Sequence, residues 1–169
     1  VEDTLGDAFQ RTIVVAATSD ESSMRRVSAA NTATAIAEYF RGQGLHVLLC
    51  IDSLTRVARA MREVGLAAGE LPVRQGFTPS VFTELPRLLE RPGVTERGSV
   101  TALYTLLAPG ENESDPIGEE AKSLLDGHLV LSAALAQQGV RPALDVPAAV
   151  SRVASQVQRR VASWNLSAS

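Results

Sequence analysis

The sequence predicts an α/β fold, a mostly parallel sheet flanked by helices, and three observations carry that reading. Residues 11–18, Arg-Thr-Ile-Val-Val-Ala-Ala-Thr, form a continuous apolar run rather than an alternating one, as a strand covered on both faces by helices does. Residues 45–51 form a second such run. Between and after them, apolar residues recur every three or four positions, the period of a helix face. Strands alternating with helices build a layered sheet.

Each element has its own signal. Asp20-Glu21-Ser22-Ser23 supplies acids and hydroxyls suited to a helix N-terminus, and Met24, Val27, Ala30, Ala33, Ala37 and Phe40 follow at helical spacing. Gly42 and Gly44 end that helix. The run from Leu45 to Ile51 stops at Asp52, and a second helix presents Leu54, Val57, Ala58 and Met61 on one face. Residues 65–78 contain three Gly and one Pro and read as a loop. Thr78-Pro79 suits an N-cap followed by proline at the first helical position, and the helix runs to about Arg91, with Pro86 expected to kink or split it. A turn over 93–98, a strand over 99–107, an acid-rich loop over 109–116, a helix over 117–125, a strand over 128–131 and a helix over 132–138 complete the alternation. The organisation expected is one α/β domain over 1–155 and a divergent tail over 156–169, helical and then disordered.

Composition narrows the function classes. With 169 residues, 45% apolar and 21% charged, the chain suffices for one compact globular domain. A net charge of −3 lacks the basic footprint of nucleic-acid binding, so no nucleic-acid partner is expected. Of the 16 basic residues all but Lys122 are arginine, so chemistry that needs a lysine has one candidate. A lone Cys50 within His46-Val-Leu-Leu-Cys-Ile51 reads as a buried small hydrophobe in a reducing compartment. No signal peptide is evident, and no apolar run approaches the ~18 residues of a membrane span, so a cytoplasmic location is expected. The chain starts on Val, and is expected to be processed or cut from something longer.

Candidate chemistry begins at Asp52. A carboxylate at the carboxyl end of a buried parallel strand lies where open α/β sheets bind ligands, and P-loop NTPases hold such an acid near Mg²⁺ through water. The same position also suits a helix-capping Asp, and the bare pattern leaves both readings open. His46 and His128 lack metal-ligand spacing and read as structural. No G-x-S-x-G elbow supports a serine hydrolase. Glu111, Glu113 and Asp115 read as a solvated loop rather than a paired-carboxylate site. Arg141 and Arg152 read either as surface or capping cations or as ligands for anionic oxygens.

Order and spacing over residues 1–155 resemble one family. The segments are Val14-Val-Ala-Ala-Thr-Ser-Asp20, Thr32-Ala-Thr-Ala-Ile-Ala-Glu-Tyr-Phe-Arg41, Val47-Leu-Leu-Cys-Ile-Asp-Ser-Leu-Thr-Arg56, Gly65-Leu-Ala-Ala-Gly-Glu70, Pro79-Ser-Val-Phe82, Gly98-Ser-Val-Thr-Ala-Leu-Tyr-Thr105, Leu125-Asp-Gly-His-Leu-Val-Leu-Ser132 and Pro142-Ala-Leu-Asp145 with Ser151-Arg152. Together they resemble the hexameric ATPases of type III secretion, injectisome and flagellar, which are similar to the catalytic subunit of rotary ATP synthases. The resemblance implies a partial RecA-like P-loop NTPase core, ATP and Mg²⁺ as cofactors, and hydrolysis at the interfaces of a homohexamer. It implies partners too: stalk and stator proteins, chaperone–substrate complexes, and an inner-membrane export apparatus to which the enzyme is peripheral. Asp52 would be the Walker B acid orienting the Mg²⁺ hydration shell, Arg152 the arginine finger to a neighbouring subunit, and Arg141 with Pro142 part of the turn beside adenine.

Departures from the family pattern matter as much. The sequence contains no G-x-x-x-x-G-K-[ST], and Lys122 follows Ala121 rather than Gly. The family's P-loop and its catalytic Glu belong upstream of Val1. Ser28 stands where the family often has a basic residue, Gln75 likewise, Arg141 where an aromatic is usual, and Ala149 replaces a Ser. The reading is therefore the Walker B half of a secretion ATPase, inactive alone. A non-catalytic RecA-like remnant serving as an interaction module is the alternative, and a rotary ATP synthase subunit is a third.

Overall fold

A computed structural model describes residues 6–107 and 115–157. The chain divides into two compact units, Val1–Ala121 and Lys122–Ser169. Glu111, Glu113 and the tail from 158 onward lie outside the described residues.

The first unit is a three-stranded sheet with helices on one face. After a 3₁₀ turn at Gly6–Arg11, helix α1 spans Ser23–Gly42, strand β1 His46–Ile51, helix α2 Leu54–Ala67 and helix α3 Pro79–Leu89. A short strand β2, Gly93–Val94, then precedes β3, Ser99–Tyr104. Sheet order is β1-β3-β2. β1 and β3 run parallel, from His46 opposite Ser99 to Ile51 opposite Tyr104, and β2 pairs antiparallel with β3. The register is set at the start of the strands, where the Ser99 N–H donates to Leu45 O at 3.1 Å. Gly98 permits this approach, since a Cβ there would run into the carbonyl oxygens of Leu45 and Arg41.

Helix α1 packs on β1, β3 and α2, and α2 packs on α3. The Ser22 hydroxyl accepts the Arg25 N–H at the start of α1, and Gly44, at φ +88°, follows its end, as the sequence predicts. The predicted face of α2 is correct in full: Leu54, Val57, Ala58 and Met61 are all buried. Leu49 and Ile51 of β1 and Val81, Leu85 and Leu88 of α3 are buried as well. Gly65 keeps α2 close to the start of α3, because a Cβ there would strike Thr78 Oγ1 and Ser80 Oγ.

Several sequence expectations are corrected. Residues 12–18 form no strand, and Ile13 and Val14 are exposed. A strand needs a neighbour for its N–H and C=O groups, and none among the described residues pairs with this segment. Cys50 is exposed, not buried. It shares with Leu48 and Leu103 the sheet face that the described helices leave open, and those two leucines are more than half exposed, at 63% and 53%. Pro86 does not split α3, which runs unbroken through it. Thr78 occupies the N-cap position without a side-chain cap; Glu70 Oε2 instead accepts the Ser80 N–H at 3.0 Å.

Helix α4, Pro116–Leu124, has its last residues, from Lys122, in the second unit; it begins in this one on Asp115, whose carboxylate accepts the N–H groups of Ile117 and Gly118. Asp115 is thus a capping acid. His46 Nδ1 lies 2.8 Å from Ser99 Oγ, a cross-strand pair consistent with a structural histidine.

The second unit is a two-stranded antiparallel ribbon. Strand β4, Gly127–Leu131, and strand β5, Leu144–Ser151, flank helix α5, Ala133–Gln137, and helix α6, Ala154–Val157, follows. The strand expected at 128–131 therefore exists but pairs antiparallel, not within the parallel sheet. β5 has no clear sequence signal: Pro147 and two alanines interrupt its apolar pattern, and the ribbon shifts register between His128 and Val130. No helix among the described residues is long and apolar enough to cross a membrane.

A charged network ties α1 to the end of α3. Arg91 donates to both oxygens of Glu38, Nε at 3.0 Å and Nη2 at 2.5 Å, and Arg41 Nη1 donates to Arg91 O at 2.9 Å. The Arg91 hydrogen bond, opposed by burial and aided by the charges of Arg91 and Arg41, holds Glu38 below the usual carboxylate range. A depressed carboxylate contributes stability that is full above its unfolded value of 4.5 and is lost as pH falls through the folded value. Glu38→Gln is expected to lower the unfolding free energy at neutral pH by about 1–2 kcal/mol. In chemical denaturation the gap to wild type should shrink as pH drops below that unfolded value; a constant gap contradicts the network.

Candidate functional site

Asp52 follows the last residue of β1, at the carboxyl end of the parallel pair. Three backbone and side-chain bonds join this end of β1 to the end of β3. The Thr105 N–H donates to Ile51 O at 3.1 Å, and the Leu54 N–H donates to Thr105 O at 2.9 Å. Between them the Thr105 hydroxyl donates to Asp52 Oδ1 at 2.7 Å. The Leu107 N–H donates to Thr55 Oγ1 at 3.0 Å, which fixes the exit from β3 against the first turn of α2. Asp52 itself is exposed, whereas Ser53 is buried and its hydroxyl has no partner among the described residues. Tyr104, one residue before Thr105, is mostly buried, and burial pushes its phenol up to about 12.

The alternative reading of Asp52 as a helix cap finds no support in the geometry. The N-cap position of α2 belongs to Ser53, which makes no side-chain cap bond, and the carboxylate of Asp52 engages Thr105, just past the end of β3.

The other candidates sit in the second unit. Arg141 Nη1 donates to Ala136 O at 2.9 Å and to Val140 O at 3.0 Å, at the end of α5, where Gly139 turns the chain at φ +82°. Pro142 follows it, exposed. Arg152 donates from Nη1 to Ser123 O at 2.9 Å and from Nη2 to Lys122 O at 2.8 Å. These are carbonyls of the last turn of α4, where a cation meets the negative end of the helix. The Arg152 N–H also holds Asp126 O at 2.7 Å. Both arginines thus occupy the capping role that the bare sequence left open, with their forks on the chain's own carbonyls.

The sequence of the ATP synthase alpha/beta family, nucleotide-binding domain, matches residues 1–151. The chain belongs to that family. The type 3 secretion system ATPase of Xanthomonas euvesicatoria is 61% identical over 151 residues, 89% of this chain and 34% of that protein. The flagellum-specific ATP synthase of Treponema pallidum is 56% identical over 151 residues, again 89% of this chain and 34% of that protein. Among solved structures, the assembled ATPase EscN of the enteropathogenic E. coli type III secretion system is 54% identical, with a TM-score of 0.79 over 85% of this chain and 35% of that chain. EscN in complex with its central stalk EscO matches with a TM-score of 0.74, over 81% of this chain and 32% of that chain. The α/β fold is thus that of a nucleotide-binding domain, and the chain spans about a third of the length of the relatives it matches.

Mg²⁺ is the metal that such a family uses, and the residues present fit it. Among the described residues no three His, Cys, Asp or Glu cluster to form a metal cage. Mg²⁺ does not require one: it keeps its waters and takes one or two carboxylates plus substrate phosphates. The exposed carboxylate of Asp52 provides a hard oxygen donor of that kind.

Two site residues escaped the sequence reading as individuals. Thr105 was legible only as the last letter of a matched segment, and its signal was its place one residue past the strand parallel to β1. Ser53 carried no signal beyond following Asp52.

Proposed function

We propose that this chain supplies the Walker B half and the arginine finger of a homohexameric ATPase that couples ATP hydrolysis to the unfolding and export of proteins through a type III secretion apparatus. One observation carries the reading: Asp52 lies at the carboxyl end of β1, held there by Thr105, in a chain of the ATP synthase alpha/beta family. The secretion and flagellar ATPases among its relatives, and the EscN assembly and EscN–EscO complex, support a hexamer that engages a stalk. Stator proteins, chaperone–substrate complexes and an inner-membrane export apparatus are the further partners of this reading.

The division of labour follows from residue chemistry. Bound Mg²⁺ neutralises charge on the β- and γ-phosphates. Asp52 orients the water shell by accepting its hydrogen bonds. Arg141 and Pro142 form the turn beside the adenine. Arg152 serves the neighbouring subunit's nucleotide, and to do so its fork exchanges two neutral carbonyls on α4 for phosphate oxygens, which form the stronger, charge-assisted bonds.

These 169 residues contain no P-loop, so the amides and lysine that cradle the β- and γ-phosphates are not among their donors. The chain by itself is therefore expected to show negligible affinity for Mg-ATP in isothermal titration, and tight binding would overturn that expectation. A specific observation, the same missing P-loop, also favours a second reading: a non-catalytic module that docks on a complete ATPase. Adding the chain to a P-loop-bearing relative and measuring its ATPase rate separates the two, because only a docking module changes that rate.

Catalysis is tested in a graft, with residues 1–152 replacing the corresponding segment of the X. euvesicatoria ATPase. Arg152 lies one residue past the family match, which ends at 151, and the graft extends to include it. Arg152→Ala should leave nucleotide binding intact and lower kcat by about 10³-fold or more. A near-normal kcat contradicts the finger role.

A further inference from the structure

We infer that Thr105 is a positioning residue for Asp52: its hydroxyl fixes the carboxylate in the orientation that meets the Mg²⁺ hydration shell. This rests on the reading of Asp52 given above and adds to it a specific residue just past the end of the neighbouring strand.

Three features of the structure support the assignment. First, the hydroxyl donates to one particular oxygen, Oδ1, at 2.7 Å, the length of a charge-assisted bond to a carboxylate. Second, the donor is itself immobilised: the Thr105 N–H is spent on Ile51 O and its carbonyl on the Leu54 N–H, the residues immediately before and two after Asp52. The backbone of β1 and α2 therefore grips Thr105 on both sides of the carboxylate it serves. Third, Asp52 has little else to hold it. Ser53, the adjacent hydroxyl, is buried without a partner among the described residues, and Asp52 is exposed, so its χ angles are otherwise set by solvent.

An exposed carboxylate free to rotate loses entropy whenever it engages a hydrated ion. Pinning one oxygen in advance removes that cost and leaves acceptor capacity for the water shell. A threonine suits the task because its β-branch restricts χ1, so the hydroxyl that faces Asp52 stays there.

The graft described above provides the test, with Mn²⁺ as the probe and binding read by electron paramagnetic resonance in the presence of ADP, alongside ATPase turnover. Thr105→Val keeps the shape and removes the donor; Thr105→Ser restores the donor on a smaller side chain. Thr105→Val should weaken Mn²⁺ binding about three- to tenfold, the range of one ordinary hydrogen bond's net contribution, and Thr105→Ser should lie close to wild type. Asp52→Asn is the control for the underlying reading. If Asp52→Asn abolishes Mn²⁺ binding and Thr105→Val leaves it unchanged, Thr105 is not a positioning residue and the Asp52 reading stands. If Thr105→Ser is as impaired as Thr105→Val, the hydroxyl is not the determinant and the inference is overturned. If Asp52→Asn itself binds Mn²⁺ normally, Asp52 is not the metal-facing acid and both readings fall.

Discussion

Parallel pairing of β1 with β3 is the constraint on which the candidate site depends. Side by side and in register from His46 opposite Ser99, the two strands end together, and the residues just past their ends, Asp52 and Thr105, come within hydrogen-bonding distance. The packing behind them keeps that alignment. Leu49 and Ile51 face the helices, α2 turns back from Asp52 with Leu54 fully buried, and the Glu38–Arg91–Arg41 network clamps α1 to the segment leading into β2. A slip of one residue would face Leu49 and Ile51 away from the core and separate the carboxylate from its donor.

Much of this was legible in the sequence because local and tertiary signals agree there. α1 carries a cap, a helical period and terminal glycines, α2 an apolar face at helical spacing, and β1 is an apolar run of strand length ending in a carboxylate. Legibility failed where an element depends on a partner remote in sequence. The run at 12–18 has strand composition, yet strand structure needs a neighbour, and the described residues provide none. Cys50 looked buried because parallel strands usually are on both sides, whereas only one face of this sheet is covered by the described helices. Capping of α3 by Glu70, ten residues before the N–H it accepts, follows from a loop path that no periodicity encodes.

Arginine chemistry shows the same division. With one lysine among its 16 basic residues, the chain relies on guanidinium forks, and the structure uses them mainly as clamps. Arg91 holds Glu38, Arg26 holds Glu63, and Arg141 and Arg152 hold helix-end carbonyls. A fork on two carbonyls is already the right shape for two phosphate oxygens, so a capping arginine and a finger arginine are not exclusive states of Arg152. What distinguishes them is whether a neighbouring subunit presents an anion of greater charge.

If Asp52 serves the nucleotide of its own subunit while Arg152 serves that of its neighbour, mixed hexamers reveal it most directly. Two grafts, one carrying Asp52→Asn and the other Arg152→Ala, should each be inactive alone. Co-assembled in equal amounts, they should regain ATPase activity at roughly one interface in four, where an intact Asp52 meets an intact Arg152 from next door. Mixed hexamers that remain as inactive as either variant alone would contradict the assignment of the two residues to opposite sides of one interface.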